Sequence, residues 1–253
     1  MIRHQSIIDE LEKKGYMSVS ELCDKFKVSS VTIRKDLKLL EKKGLLFKTH
    51  GGASIHNPYI NERNVSEKEN INANEKKAIA QEAIKLIKPN DDIMIGSGTS
   101  MQALAHELKM DHDLNIITSS LNVSIELTRY PRFNILQLGG NVRHSSSSVT
   151  GYFSTSVLKN ISCNLLFLGV DGIDLEFGCT TTSIEEAILN QNMIASAQKV
   201  IVLADSSKFN KKGFGKICDI PSINHIITDS AINNEVVHEL KGRGVEVTVV
   251  NSP

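Results

Sequence analysis

The chain has 253 residues, 40% of them apolar, with no Trp, so it can bury a sizeable core in one or two domains and is neither fibrous nor disordered. No run approaches the roughly 20 apolar residues a membrane helix needs, the opening MIRHQSIIDELEKKGY has no long apolar signal segment, and Cys23, Cys163, Cys179 and Cys218 include no close pair in sequence. The expectation is a cytoplasmic protein of a reducing compartment, without disulfide framework, metal site or cofactor. Lys+Arg 29 balance Asp+Glu 29, yet residues 1–50 hold 11 of the basic and 7 of the acidic residues. A basic head on an acidic body points to a polyanionic partner for the head.

In chain order, IRHQSIIDELEKKGY places Ile7, Ile8 and Leu11 on one helical stripe stopped by Gly15. SVSELCDKF follows, where Ser20 is expected to cap a short helix burying Leu22 and Phe26. In KVSSVTIRKDLKLLEKKGLL, Ser29 is an N-cap, Ile33, Leu37 and Leu40 recur at helical spacing, and Gly44 ends the helix. Two helices with a turn of about three residues make a helix-turn-helix. The face opposite Ile33 and Leu37 carries Val31, Lys35, Lys38 and Lys42, with Arg34 beside it. Ser29, Ser30, Val31, Thr32, Arg34 and Lys35 lie toward the helix start, the part of a recognition helix that meets base edges. Arg34 suits guanine, whereas Lys38 and Lys42 suit phosphates. LLFKTHGGA then reads as a strand, a Gly-Gly turn and a return strand, a wing with Lys48 and His50 near the DNA backbone. A lysine-rich helix face is equally a solvated face, so the pattern alone leaves a DNA reader and an interaction module both open.

Residues 15–53 closely resemble the N-terminal domain of DeoR-family bacterial transcription regulators. That family's hallmark is Ser-x-x-Thr-Ile-Arg-(Arg/Lys)-Asp-Leu, then Leu-Glu-x-x-Gly and a His-Gly-Gly-Ala turn. Here it reads Ser29, Thr32-Ile33-Arg34-Lys35-Asp36-Leu37, Leu40-Glu41, Gly44 and His50-Gly51-Gly52-Ala53. The resemblance implies a winged helix-turn-helix over 1–53 and a double-stranded DNA operator as partner.

Residues 54–73 are polar, contain Pro58 and read as a linker before a second domain over 74–253. A helix is expected over 75–88, ended by Pro89-Asn90. Apolar runs then appear at DIMIG, LNIITSS, FNILQLGG, LLFLGVD, KVIVLAD, HIITD and VEVTVV, with helical stretches at 101–109, 183–197 and 235–241. Apolar strands separated by helices predict an α/β domain with a mostly parallel sheet covered on both faces. Ligands of such sheets bind beyond the carboxyl ends of the strands.

The polar residues expected at those ends form a set. Gly96-Ser97-Gly98-Thr99-Ser100 leads into a helix, a loop able to cradle an anion and equally an ordinary cap. It is neither a P-loop nor a dinucleotide fingerprint. Ser119 and Ser120, Asp171-Gly172-Ile173-Asp174, and Asp205-Ser206-Ser207-Lys208 end three further strands, and Gly139-Gly140 with Arg143 follows another. Anion donors, carboxylates for hydroxyls and a lysine are what a phosphorylated sugar requires. Asp205 is as readily a turn former as a ligand, and Arg143 as readily faces solvent.

Residues 74–253 also resemble the DeoR-family effector domain, through the loop at 96–100, Gly139-Gly140 and the Asp-Ser-Ser-Lys-Phe element at 205–209. That domain is similar in fold to ribose-5-phosphate isomerase, where an Asp-Gly-x-Asp turn, a following lysine and a glutamate transfer the proton. Asp171, Asp174 and Glu185 fit the carboxylate positions. The place of the lysine reads Leu175-Glu176-Phe177-Gly178-Cys179, so the electrophile that stabilises an enediolate oxygen is missing. The resemblance therefore implies a receptor and no enzyme: a repressor of a sugar-catabolism operon released by a phosphorylated sugar, assembled as a homodimer or homotetramer. Within the family the chain looks most like the AgaR-type branch, which implies an amino-sugar or tagatose phosphate. The competing classes are a sugar-phosphate isomerase with an appended DNA-binding module and a protein-binding scaffold.

Overall fold

Ile7 and Leu11, one helical turn apart, are both fully buried on helix α1 (Ile2–Lys14). Gly15 stops it with a left-handed φ of 74°. Strand β1 (Tyr16–Ser18) and helix α2 (Val19–Phe26) follow. The α2 cap is Ser18 and not Ser20: Glu21 Nα donates to Ser18 Oγ at 3.1 Å while Ser18 Nα donates to Glu21 Oε2 at 2.8 Å. Three residues after Ser20 stands Cys23, which has no carboxylate to close such a box. Helix α3 (Ser30–Lys42) starts as expected, with Thr32 Nα donating to Ser29 Oγ, and packs Ile33, Leu37 and Leu40 against Ile7, Leu11 and Leu22. Strands β2 (Phe47–Thr49) and β3 (Gly52–Ser54) turn at Gly51 and pair antiparallel, and β1 adds to the other edge of β3.

The chain divides into two units, Met1–Asn61 and Glu62–Pro253. This computed structural model describes residues 2–49, 51–55 and 65–251, with the side chains of Ile2, Lys42, Ser66 and Glu67 outside that description. His50, expected on the wing, lies outside the described residues.

The second unit opens inside the stretch read as linker, with helix α4 (Val65–Glu69), then α5 (Ala73–Ile84). The expected helix over 75–88 ends early because Lys85, Leu86 and Ile87 bond three residues back, tightening the last turn. Strand β4 (Asp92–Ile95), α6 (Thr99–Glu107), β5 (Leu114–Thr118), α7 (Leu121–Leu127) and β6 (Phe133–Gln137) follow. A hairpin of β7 (Asn141–Arg143) and β8 (Ser148–Thr150) leads to α8 (Tyr152–Leu158) and β9 (Cys163–Leu168). Next come β10 (Gly172–Asp174), β11 (Gly178–Thr181), α9 (Ile184–Ala195) and β12 (Ala197–Leu203). After a short 3₁₀ turn over Ser206–Lys208 the chain finishes with β13 (Gly215–Cys218), β14 (His225–Asp229), α10 (Asn234–Gly242) and β15 (Glu246–Val250).

All seven apolar runs of the sequence become strands of one parallel sheet, ordered β15-β14-β12-β9-β4-β5-β6. Alternation is strict: Leu166 and Leu168 of β9 enter one core with Met193 and Leu240, while Phe167 between them enters the other with Ile79, Met101 and Leu104. Helices thus cover both faces, which is why the central strands β4, β9 and β12 carry buried apolar side chains on both sides. From β4 the chain winds outward through β5 and β6; from β9 it winds the opposite way. Neighbouring β4 and β9 are therefore the point where the winding reverses, and their carboxyl ends open a crevice. β10, β11 and β13 form a small antiparallel sheet beside it, absent from the sequence-based expectation.

Candidate functional site

On α3 the buried Ile33, Leu37 and Leu40 leave the opposite face outward. Val31 is 59% exposed there, and Arg34, Lys35 and Lys38 are exposed and enter no ion pair among the described residues. Ser30 is exposed at the first turn, while Ser29 and Thr32 are engaged in the cap, their hydroxyls 3.1 Å apart. Lys48 differs from expectation: its Nζ lies 3.8 Å from Glu41 Oε2 and its Nα donates to Glu41 Oε1 at 2.9 Å, so part of its charge is answered internally. Lys42 is on the helix, its side chain outside the described residues.

Asp36 is the residue of this helix whose role the residue pattern alone did not reveal. Arg3 Nε donates to its Oδ2 at 2.7 Å, and His4 Nε2 lies 2.9 Å from Oδ1. Burial pushes the Asp36 carboxyl up, but its bonds to Arg3 and His4 outweigh that and hold it below the ordinary range. The carboxylate ties α1 to α3 and so fixes the angle at which the basic face is presented.

In the second unit, the crevice at the reversal point is lined by Ser97, Gly98, Thr99 and Ser100 after β4, and by Gly169, Val170 and Asp171 after β9. Gly98 has φ +99° with open space around its Cα, so glycine is needed there for backbone shape rather than room. At Gly169 space decides, since a Cβ would stand 3.1 Å from Ser97 O of the neighbouring loop. The loop ends at the N-terminus of α6, where unpaired N–H groups and the helix dipole favour an anion.

Side chains converge on this loop from four other elements. Lys208, at the end of the 3₁₀ turn, lines the crevice; Asp205 caps that turn by accepting from Ser207 Nα at 3.0 Å and also accepts from Asn72 Nδ2 at 2.9 Å. Lys68 of α4 places Nζ 2.8 Å from Asp171 Oδ1. Burial pushes the Asp171 carboxyl up, but the Lys68 and Lys208 charges overcome it and hold the group below its ordinary value. Thr181 Oγ1 stands 3.2 Å from Asp171 Oδ2 and 3.1 Å from Glu186 Oε2, with a single proton to share between two carboxylates. Ser97 Oγ donates to Glu186 Oε1 at 2.7 Å. Behind the crevice, buried Lys76 of α5 donates to the carbonyls of Lys68 and Ile71, each at 2.6 Å, and so pins the end of α4. Burial brings the Lys76 ammonium down to about 8.

Several expected site residues stand elsewhere. Asp174 ends β10 and serves the hairpin, accepting from Glu176 Nα at 3.0 Å and Phe177 Nα at 2.7 Å, with Lys212 Nζ at 3.4 Å. Its spacing from Asp171 reverses its direction, because alternate residues leave a strand on opposite faces. Glu185 is exposed and faces Thr150 Oγ1 at 3.2 Å; Glu186, one residue and about 100° further round α9, faces the crevice instead. Ser119 and Ser120 are buried, the latter capping α7 by accepting from Val123 Nα. Arg143 lies in the β7–β8 hairpin, opposite Ser148, and is not among the crevice lining; Ser145 and Ser146 of the hairpin turn are. Lys68, Thr181 and Glu186 were not foreseen. A wider cavity of about 460 Å³ lies against α5, α6 and α7. Its charged lining sets Glu69, Glu107 and Glu126 against Lys76 and Lys77.

Residues 3–58 match the family description "DeoR-like helix-turn-helix domain", and residues 71–230 match "DeoR C terminal sensor domain". The chain is 37% identical to the putative aga operon transcriptional repressor of Escherichia coli O157:H7, over 98% of this chain and 93% of that protein. It is 32% identical to a lactose phosphotransferase system repressor of Staphylococcus epidermidis, over 90% of this chain and 91% of that one. Among solved structures it is similar to ribose 5-phosphate isomerase A from Methanocaldococcus jannaschii, with 18% identity, 55% of each chain covered and a TM-score of 0.41. No described helix is long and apolar enough to cross a membrane. With both halves matched in one order, and relatives aligned over nearly their whole length, the chain belongs to the DeoR family of helix-turn-helix transcription regulators.

Proposed function

We propose that this regulator is a repressor of a sugar-catabolism operon whose sensor unit takes a phosphorylated sugar in the crevice between β4 and β9. The observation that carries the reading is the convergence there of an anion loop (Gly98–Ser100), two lysines (Lys68, Lys208) and two carboxylates (Asp171, Glu186). The phosphate sits over Gly98–Ser100 with Lys208 beside it, and Asp171 and Glu186 accept from sugar hydroxyls. Thr181 has one proton for two carboxylates, so a ligand hydroxyl supplies the missing donor. A phosphate also competes with Asp171 for Lys68, and Lys68 belongs to α4, the first described element after the DNA head. The ligand class is an amino-sugar or tagatose phosphate, supported by the branch resemblance and by the relative named for the aga operon. Two recognition helices reading one operator require at least a dimer.

Isothermal titration with a phosphorylated sugar and its dephosphorylated counterpart tests the site. Lys208→Ala and Thr99→Val should each remove a donor to a charged oxygen, worth about 1.5–3 kcal/mol, and weaken only the phosphorylated ligand. Equal weakening of both ligands would remove the phosphate from that loop.

One observation favours a second reading. The lysine of the isomerase pattern is missing from 175–179, yet Lys68 brings an ammonium to Asp171 from α4. We nevertheless read the chain as a receptor, because that ammonium is engaged by the very carboxylate that would have to act as base. A coupled assay for aldose–ketose phosphate interconversion should show no turnover; turnover lost in Lys68→Met would make the protein an enzyme.

On the DNA side, Arg34→Ala should cost about 1–3 kcal/mol and relax preference among operator sequences. Lys38→Ala should weaken all sequences alike and reduce the salt slope by about one unit. Mobility shifts over a salt series separate the two, and unchanged operator affinity in the Arg34 variant would take it off the reading surface.

A further inference from the structure

Cys179 and Cys218, far apart in sequence, are opposed residues of the antiparallel pair β11–β13. Opposed residues of a regular antiparallel pair have Cα atoms about 4.5–5.5 Å apart, within the roughly 4.4–6.8 Å that a disulfide spans; here the pair stands at the edge of a bulge, where the register shifts between Cys179 and Thr180. The strands approach closely here: a Cβ added to neighbouring Gly178 would fall 2.0 Å from Cys218 O. Both thiols are free; Cys179 is buried and Cys218 half-buried. The nearness of the two thiols, with burial, pushes the Cys179 thiol well up, and draws Cys218 below its usual value against burial and the neighbouring Asp219 charge. Cys218, the more accessible of the two, is the thiol an oxidant reaches first, with Cys179 facing it to resolve.

We propose that Cys179 and Cys218 are a dithiol that a hydroperoxide oxidises to a disulfide across the small sheet. The Cys218 thiolate attacks one peroxide oxygen, the O–O bond breaks, and the departing hydroxide takes up a proton to leave as water, giving a sulfenic acid. The Cys179 sulfur then displaces the sulfenic hydroxyl as a second water, forming the S–S bond. Two thiols and one hydrogen peroxide become one disulfide and two waters. The bond ties β11 to β13, and β11 ends in Thr181, whose hydroxyl faces Asp171 and Glu186 in the crevice wall. Oxidation therefore stiffens that wall whatever ligand the crevice takes.

The test uses the full chain, reduced, exposed to hydrogen peroxide, alkylated and digested without reductant for mass spectrometry. A peptide pair joining Cys179 to Cys218 is expected, removed by dithiothreitol, with slower hydrogen exchange over residues 178–182. Cys163, whose thiol burial pushes up to about 11, should stay reduced as an internal reference. In Cys179→Ser, dimedone should trap a sulfenic acid on Cys218. Cys179 and Cys218 remaining fully alkylatable in the wild-type chain at a dose that oxidises exposed thiols of an added peptide would overturn the proposal, as would a Cys218 linkage only to another chain. The wild-type map decides the matter even if the serine variant fails to fold.

Discussion

Asp171→Asn is expected to give a repressor that still binds its operator but no longer releases it. The amide keeps the shape of the carboxylate while removing the charge that pairs with Lys68 at 2.8 Å and that the proposed function assigns to a ligand hydroxyl. Losing one charged hydrogen bond costs about 1.5–3 kcal/mol, a fall in ligand affinity of roughly 10- to 150-fold. Operator affinity without ligand should be unchanged, since the basic face of α3 belongs to the other unit. Ligand titration and mobility shifts on the same preparation measure both numbers. Loss of operator binding in this variant would mean that Asp171 supports the fold rather than the response.

The second large effect is on stability. Phe167, in the central strand β9, is fully buried among Ile79, Met101 and Leu104, and Phe167→Ala removes a ring from that core. The expected loss is about 3–5 kcal/mol; at roughly 2–4 °C per kcal/mol for a unit of this size, the midpoint falls by roughly 6–20 °C. Calorimetry of the full chain should show the transition of the sensor unit lowered and that of the head, with its separate core, in place. A drop in both by the same amount would mean that the two units unfold as one.

What could be read from the sequence followed from how strongly each element's own residues report its surroundings. The central strands β4, β9 and β12 are apolar because both faces are covered, and that requirement is visible without coordinates. β10, β11 and β13 read Gly-Ile-Asp, Gly-Cys-Thr-Thr and Gly-Lys-Ile-Cys, too short and mixed for any period, so their pairing, and with it the meeting of Cys179 and Cys218, is set by tertiary packing. α4 is a five-residue polar helix that no periodicity marks, held by the Lys76 bonds to Lys68 and Ile71, and that is why Lys68 was hidden in a stretch read as linker. The loop at 96–100 and Lys208 were legible because each follows directly from a strand end. The choice of Glu186 over Glu185 turns on the phase of α9 against the sheet, which the residues Glu185-Glu186 themselves do not encode. Asp174 misled because an aspartate in a glycine turn is as good a hairpin former as a ligand.

The central claim is that one ligand equilibrium controls one DNA equilibrium, and by linkage the two must weaken each other by the same factor. The most direct measurement is the affinity of a phosphorylated amino sugar or tagatose phosphate for the full chain, titrated with and without saturating operator DNA. The account predicts weaker ligand binding in the presence of operator, by the same factor that saturating ligand weakens operator binding, typically about 5- to 150-fold. Equal ligand affinity in the two titrations would contradict it.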